Sequence, residues 1–393
     1  MVILHKRIAN TLLLICMLFT LTGCWDRTET NDIAFILSSS IDLEENGLFR
    51  VSYLLPLPGQ MGGASGGGGG TSSGGNSYYI DSEVGRTFQE CTFKLQKRIG
   101  RKLFLAHRRV IVLGEEFAKH GITPLFDAVP RLPDSRLNTS LIVTKGKGYD
   151  LLKAQPKFER FPTETIRELS KSSQAVAVST KEVGVALSFK SDPIITYMKI
   201  KESQKDLKPS KEIELVGYAQ FYQDKMVGIF EDRSANGLIN LLDKTKEHMI
   251  TFPMKADKNM SILVISGQTH ITPKLENGKV SFDIHLELTS KVREDLSDQD
   301  LNKSSISHKV ELMLAEQGKK NVQAALKQMQ AKGTDSAQLG LAVWRKYPYE
   351  WDNGIRDNWR ELFKQADFQV VVHAVIEEAG LINQNVLKEE SNQ

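Results

Sequence analysis

The chain has 393 residues, of which 25% are charged and 40% hydrophobic, with a formal net charge of +3. This composition is typical of a globular protein, and the near balance of charge gives no reason to expect a nucleic-acid partner. The length is enough for two or three domains with separate cores. Two of the three cysteines lie in the N-terminal apolar segment, so only Cys91 remains in the body of the chain. No internal disulfide and no Cys-x-x-Cys metal or redox site is therefore expected.

The N-terminal segment has the pattern of a secretory leader. His5, Lys6 and Arg7 give it a basic start, and residues 11–21 form an apolar run without charge. A helix that crosses a bilayer needs about 20 apolar residues, so this run is too short to span one. We predict a signal peptide over residues 1–23 that is removed from the mature chain.

The end of this leader has the lipobox pattern, Leu21-Thr22-Gly23-Cys24. The small residues at 22 and 23 allow a peptidase to cut just before the cysteine. Cys24 would then be the first residue and would carry an S-diacylglycerol and an N-acyl group, which is enough for stable anchoring. There are two alternatives. The segment could be an ordinary signal peptide whose cysteine lies near the cleavage site, or a short anchor that is retained. The mature chain is expected outside the cytoplasmic membrane of a bacterium.

The first elements after the leader are predicted to be a β-hairpin and a loop. Residues 33–43 and 48–55 are rich in strand-forming residues, and the Asn46-Gly47 pair between them is typical of a tight turn. Residues 59–77 are rich in glycine and serine, which predicts a flexible loop. Phosphate binding by this loop is the alternative, but the Gly-Lys-Ser/Thr of the Walker pattern is absent.

The next segment predicts a helix that would bury the body cysteine. Apolar residues recur at steps of three and four over 82–99, with Ser82 as the cap and Gly100 as the stop. Cys91 lies on this apolar stripe, so we predict a packed core thiol rather than a nucleophile. The chain also has a local excess of basic residues. A solvated helix face is the simplest interpretation of this excess, and contact with anionic lipid or with an acidic partner is the alternative. Its members are Lys94, Lys97, Arg98, Arg101, Lys102, Arg108 and Arg109.

The rest of the chain alternates between helical and strand patterns, which indicates a mixed α+β fold. Strict alternation over 280–288 predicts a half-buried antiparallel strand. The final run, 368–376, is apolar on both faces and is therefore predicted to be central in its sheet. The remaining strands are predicted at 103–113, 137–143, 213–222, 226–230 and 261–271, the helices at 115–120, 162–170, 181–189, 235–242, 298–331 and 354–364, and an exposed loop or boundary at 201–212.

Motifs for catalysis are missing from the sequence. It contains no His-Glu-x-x-His, no Gly-x-Ser-x-Gly, no nucleotide-binding glycine pattern after a strand and no Cys/His cluster at metal spacing. His107 is the most tempting single residue, since it lies beside two arginines at a predicted strand, but a lone histidine is usually structural. We predict no catalytic residue, no metal and no cofactor.

Several blocks in fixed order together resemble one family, the lipoprotein C subunits of bacterial spore germinant receptors, of the Ger(x)C type. Two departures concern local detail: Ala106 stands where a glycine is expected, and the apolar pair usual after Asp335 is absent. The blocks are GCWDRTETNDIAF (23–35), RKLFLAHRRVIVLGEEFAKHGI (101–122), PRLPDSRLNTSLIVTKG (130–146), YPYEWDNGIRDNWRELF (347–363) and FQVVVHAVIEEAGLI (368–382).

The resemblance implies an α+β lipoprotein of three domains, with mixed and antiparallel sheets flanked by helices. We place the domains at 24–200, 201–258 and 259–393, after the lipoprotein signal peptide. The family implies a non-enzymatic subunit on the outer face of the spore inner membrane. It would assemble with membrane-embedded A and B subunits into a receptor that starts germination when nutrients appear. A lipid-anchored solute-binding protein that delivers a nutrient to a transporter is the alternative. A tethered cell-wall hydrolase is a third class, for which no carboxylate pair or metal spacing stands out.

Overall fold

The structure, a computed structural model, describes residues 4–11, 29–57, 77–203, 209–255, 258–297 and 300–378. Cys24 with the rest of the predicted lipobox, and nearly all of the Gly/Ser-rich segment, lie outside these residues. Residues 4–11, within the predicted leader, are helical and are called α1. Within the described ranges, no helix combines the length and the apolar character needed to cross a membrane.

The body of the chain contains both strands and helices. The strands are β1 (Ile33–Phe35), β2 (Ser38–Leu43), β3 (Phe49–Pro56), β4 (Tyr78–Gly85), β5 (Lys102–Phe104), β6 (Val110–Gly114), β7 (Ser140–Thr144), β8 (Ile194–Glu202), β9 (Lys211–Tyr222), β10 (Lys225–Glu231), β11 (His248–Lys255), β12 (Lys258–Glu276), β13 (Lys279–Asp295) and β14 (Asp367–Glu378). The helices are α2 (Phe88–Gln96), α3 (Glu115–His120), α4 (Thr123–Ala128), α5 (Gly148–Leu152), α6 (Pro162–Lys171), α7 (Thr180–Ser188), α8 (Asp232–Leu241), α9 (Ser304–Lys332), α10 (Leu339–Lys346), α11 (Pro348–Glu350) and α12 (Arg356–Lys364).

An eight-stranded sheet forms the first half of the molecule, in the order β10-β9-β8-β7-β6-β2-β3-β4. Its centre is parallel, because β2, β6, β7 and β8 pair in the same direction. Antiparallel hairpins extend it at both ends. The predicted hairpins around residues 44–47 and 223–225 are confirmed. The predicted domain boundary at residue 200 stays a prediction, and β8 and β9 pair with each other across it.

Helices cover both faces of this sheet, as the alternation of its side chains requires. On one face, Ile111, Leu113 and Leu141 pack with α2, α3, α4 and α7. On the other face, Val112 and Ile142 pack with α5 and α6. The central strands are therefore buried on both sides.

Three sequence predictions in this half are wrong. Residues 33–43, predicted as one strand, form β1 in a two-stranded sheet and β2 in the large sheet. Residues 78–85 form β4, because pairing with β3 prevails over the helical spacing of the apolar residues, and α2 begins only at Phe88. Its N-cap is Thr87, whose Oγ1 accepts a hydrogen bond from the Glu90 amide at 3.1 Å. The predicted strand at 103–113 is two strands: β5 pairs with β1 in a separate two-stranded parallel sheet, and β6 joins the large sheet.

A four-stranded sheet, in the order β11-β12-β13-β14, forms the second half. The β12–β13 hairpin closes around Asn277 and Gly278, both with positive φ, as the Asn-Gly pair predicts. Helix α9 packs its Val310, Leu314 and Val322 into the core of this half. It ends at Gly333, which adopts the left-handed conformation with φ 65°.

The prediction that 368–376 is central in its sheet is wrong, because among the described strands β14 lies at the edge and pairs with β13 alone. Of its side chains, Val370 and Ala374 are buried, whereas Val375 is 54% exposed. An apolar sequence on both faces indicates packing above and below a strand. It does not determine whether a further strand lies beside it.

Candidate functional site at the junction of the two sheets

The sequence singled out three residues, and the structure brings none of them together. Cys24 lies outside the described residues, so its lipidation stays a prediction. Cys91 is fully buried, with its Sγ 3.4 Å from the carbonyl oxygen of Phe49. Burial raises the pKa of the Cys91 thiol, which disfavours the thiolate. The prediction of a packed core thiol is confirmed.

His107 lies in a small aromatic group rather than in a cleft. Its ring meets Phe35 edge-on, with centroids 4.9 Å apart, and lies 6.0 Å from Phe104. The imidazole is exposed, and no hydrogen bond from a described residue reaches it. His107 therefore has a packing role between β1 and β5.

Part of the predicted basic excess is neutralised. Lys94 pairs with Glu90 at 2.7 Å, and Arg98 binds Asp81 and Glu83 together. Arg109 pairs with a helix α6 carboxylate. These pairs agree with a solvated surface for this part of the group, whereas Lys97, Arg101 and Lys102 form no ion pair with any described residue.

The most extensive buried polar network lies where the two sheets meet, and it is centred on Asp192. This carboxylate is 2% exposed and precedes β8 of the large sheet. Arg360, on α12 of the second half, donates to both of its oxygens at 2.9 Å. The Asp192 oxygens also accept from the amides of Gln223 at 2.7 Å and Asp335 at 2.8 Å. A bidentate pair of this kind fixes orientation as well as charge.

The guanidinium of Arg360 makes two further contacts that hold it in place. It lies 3.9 Å above the ring of Tyr222, at the end of β9. Its Nη1 also donates to the carbonyl of Gly333 at 2.7 Å, where α9 ends. One side chain thus joins α12, the end of α9 and the edge hairpin of the large sheet.

Asp335 is the second buried carboxylate of the junction. It accepts hydrogen bonds from the amides of Leu339 and Gly340, both at 2.7 Å, and from the indole Nε1 of Trp359 at 3.0 Å. Burial is the main cause that raises the pKa of Asp335 to about 6, and the nearby charge of Asp192 acts in the same direction. The three donors lower the pKa but do not offset the loss of water.

Two tryptophans pack beside Asp335 in the junction. The rings of Trp351 and Trp359 have centroids 5.5 Å apart and lie against Gly340. A Cβ at Gly340 would come within 2.8 Å of the Trp359 Nε1 and 2.9 Å of the Trp351 ring. Position 340 therefore requires glycine for the close approach of α10 to these rings.

A neutral amide network continues the junction toward the middle of the large sheet. Gln220, fully buried on β9, donates to the Thr334 hydroxyl at 2.6 Å. Its carbonyl oxygen accepts from Gln328 of α9 at 2.9 Å, and the same Gln328 nitrogen donates to the carbonyl of Ile229 at 2.9 Å. Both halves thus share a set of satisfied hydrogen bonds rather than a cleft.

The polar groups of the junction hold parts of the chain in position relative to one another. The carboxylates are buried, fully hydrogen-bonded and directed at backbone amides, so they have no free oxygen aimed at a substrate. In the described ranges, no group of three or more His, Cys, Asp or Glu side chains is placed to hold a metal ion. What the junction does is fix the second half of the chain against the first.

Sequence reasoning missed Asp192 and Arg360. They are separated by 168 positions, and neither stands in a catalytic or ligand-binding motif. The one signal was the tryptophan-rich block at 347–363, which contains Arg360 and Trp359.

Comparison with known protein families gives a consistent result over the whole body of the chain. Residues 26–200 match the family described as spore germination protein N-terminal domain. Residues 216–380 match the family described as spore germination B3/GerAC like, C-terminal.

Full-length relatives show the same similarity. A putative spore germination protein of Bacillus subtilis, YfkR, is 31% identical over 95% of this chain and 97% of its own length. Spore germination protein KC of the same organism is 23% identical, over 94% of this chain and 95% of that protein.

One solved structure shares the fold. The crystal structure of the GerBC protein superposes with a TM-score of 0.57 at 16% identity, covering 86% of this chain and 96% of that one.

Proposed function

We propose that this chain, which belongs to the Ger(x)C family of spore germination proteins, is the lipid-anchored C subunit of a nutrient germinant receptor. It would act in spore germination by assembling with membrane-embedded A and B subunits. The observation that carries this proposal is that both family domains match in order and together span most of residues 26–380.

The anchor is proposed at Cys24, from the lipobox at residues 21–24. A diacylglycerol on the thiol and an acyl group on the new N-terminus would hold the mature chain on the outer face of the spore inner membrane.

The junction supports a scaffolding role for the folded part. Asp192, Arg360 and Asp335 use their polar atoms to bind other parts of the same chain. A subunit that must present a fixed surface to membrane partners benefits from two halves locked in one orientation. We therefore propose a non-enzymatic subunit.

The decisive experiment for this role is affinity capture from solubilised spore membranes. A tagged copy of the full chain is expected to recover A-type and B-type membrane subunits, and deletion of its gene should abolish germination in at least one nutrient mixture. Recovery of no integral membrane protein, with germination unchanged in every mixture, would contradict the assignment. Calorimetric binding of a free nutrient by the purified chain would favour the solute-binding alternative.

The anchor has its own test. Cys24→Ala should abolish incorporation of a labelled fatty acid and release the chain from the membrane fraction. Cys16→Ala, within the predicted leader, is the matched control and should leave both unchanged. Labelling that persists in the Cys24→Ala chain would refute the site.

A further inference from the structure

We propose that one surface of the first half, beside the point where the chain leaves its anchor, lies against an anionic lipid bilayer. This anchor-side surface consists of β1, β5 and the C-terminal end of α2, with Phe93, Lys97, Arg101 and Lys102 as its exposed side chains. The inference rests on the proposed lipidation at Cys24 and adds which face of the protein the lipid contacts.

The first argument is the length of chain between the anchor and the fold. Cys24 stands five positions before Glu29, the first described residue after the leader. Even a fully extended chain would cover only about 17 Å over that interval. Strand β1 then begins at Ile33, which pairs directly with Lys102 of β5. The register of this small parallel sheet therefore holds Lys102 close to the membrane end of the chain.

The second argument is the connection between β5 and α2. The side-chain amide of Gln96, at the end of α2, donates to the carbonyls of Ile99 at 2.9 Å and Arg101 at 2.8 Å. Its oxygen accepts from the amide of Leu103 at 2.9 Å. One glutamine thus fixes the last turn of α2 against the edge of β5, so that the cations of both elements belong to one surface.

The third argument is charge. Lys97, Arg101 and Lys102 are exposed and form no ion pair within the described part of the chain, unlike their neighbours Lys94 and Arg98. The exposed carboxylates on the turn before β1 are Glu29 and Asp32, so the three unpaired cations exceed them by one charge. Unpaired Lys and Arg side chains close to an anionic leaflet gain attraction to its phosphate groups.

The fourth argument is the apolar content of the same surface. Phe93 is 65% exposed, and the ammonium group of Lys97 lies 5.1 Å from the centre of its ring. Phe35 and Phe104 are half-buried between the strands. An aromatic ring with adjacent cations is the arrangement that favours the boundary between lipid head groups and acyl chains.

The experiment uses the lipidated full chain in vesicles and one fluorescent reporter. Cys91 is fully buried and Cys24 would be blocked by lipid, so an introduced cysteine is the reactive thiol of the mature chain. Gly100→Cys places it on the surface without steric conflict, because a Cβ there meets nothing within 4 Å. Lys320→Cys is the matched control on α9 of the other half, where the lysine side chain is 53% exposed.

The reporter is a bimane group, and the vesicles contain equal parts of phosphatidylglycerol and phosphatidylcholine with a spin-labelled lipid as quencher. We expect several-fold stronger quenching at position 100 than at position 320. The double change R101E/K102E should reduce the quenching at position 100 roughly fivefold or more. The control pair K327E/K332E, on exposed α9 lysines, should leave it unchanged.

Flotation of the same samples separates this inference from the proposed anchor. A chain that does not float with the vesicles contradicts the anchor itself. A chain that floats but is quenched equally at both positions, or whose quenching survives R101E/K102E, overturns the anchor-side surface. Shielding of position 100 that occurs only in membranes containing other receptor subunits would show that a protein covers this face, and would also overturn it.

Discussion

Arg360, whose side chain is 26% exposed, and Arg108, which is 6% exposed, have surroundings that differ in kind. At the junction of the sheets, Arg360 donates to both oxygens of Asp192 and to a backbone carbonyl. Arg108 lies just before β6, and its guanidinium donates to two hydroxyls of described residues, Ser39 at 3.4 Å and Ser135 at 2.8 Å. Its Nε has no hydrogen-bond partner in the described structure.

We infer that the fold requires the charge of Arg360 and only tolerates the charge of Arg108. A buried pair contributes little net free energy, but removing one member leaves the other uncompensated. Arg360 is such a member, because Asp192 would remain buried without it. Arg108 has no described carboxylate in ion-pair contact, and burial lowers its pKa.

The largest effect is expected for Arg360→Met. The change leaves the Asp192 carboxylate buried without a counter-charge, so the free energy of unfolding should fall by about 3–5 kcal/mol. Urea denaturation of the full chain measures it. Arg360→Lys is the control: it keeps the charge but loses the bidentate geometry, and should cost less. An equal loss for both variants would mean that the fork geometry, rather than the charge, holds the junction.

The second prediction concerns pH and the Asp335 carboxyl. Its pKa is raised to about 6 in the folded chain, against an ordinary value of 3.8. Between these values the folded state binds more protons than the unfolded state, so the contribution of this carboxyl to stability is fully present below about pH 4 and is lost as pH rises through 6. The decline should amount to roughly 3 kcal/mol. The measurement compares unfolding of the native chain and Asp335→Asn from pH 4 to 7, where only the native chain should show this component.

A third prediction addresses the packing of α8 against α9 in the core of the second half. Helix α8, which follows the large sheet, crosses α9 at Gly237, where a Cβ would come within 1.9 Å of the Asn321 carbonyl oxygen. Gly237→Ala should therefore separate the helices and lower the free energy of unfolding by about 1–3 kcal/mol.

The control for this variant is Gly184→Ala in α7, where the nearest contact is a Phe126 ring carbon at 3.3 Å. A small shift of the ring accommodates the methyl group there. If Gly237→Ala were as stable as this control, the close approach of α8 to α9 would not be required for stability.

The sequence was informative wherever local chemistry determined the structure. The Asn277–Gly278 turn, the glycine that ends α9 and the core position of Cys91 follow from turn chemistry and from apolar spacing within a few residues. The predicted start of α2 was wrong because residues 78–85 pair with β3 as strand β4, although their apolar residues have helical spacing. The predicted central position of β14 was wrong because the order of strands in a sheet depends on residues far away in the sequence.

The junction shows most clearly what could not be predicted from the sequence. Asp192 and Asp335 are ordinary acidic residues in the sequence, and their roles arise only when α12 and the end of α9 reach the edge of the large sheet. In the block LFLAHRRVIVLG, the sequence directed attention to His107, which is exposed. Of the three ionisable residues in that block, Arg108 is the buried one, whereas His107 and Arg109 are exposed.

Arg108→Met is accordingly expected to have the smallest effect, a change of less than about 1 kcal/mol in the free energy of unfolding. The methionine fills most of the volume of the arginine stem and removes a desolvated charge, while the two serine hydroxyls lose one donor each. Asp134, whose charge acts on Arg108, keeps its hydrogen bond from the Leu105 amide at 3.1 Å. Urea denaturation beside Arg360→Met provides the direct comparison. A loss as large as that of Arg360→Met would show that Arg108 has a strong partner, and that the contrast between the two arginines is wrong.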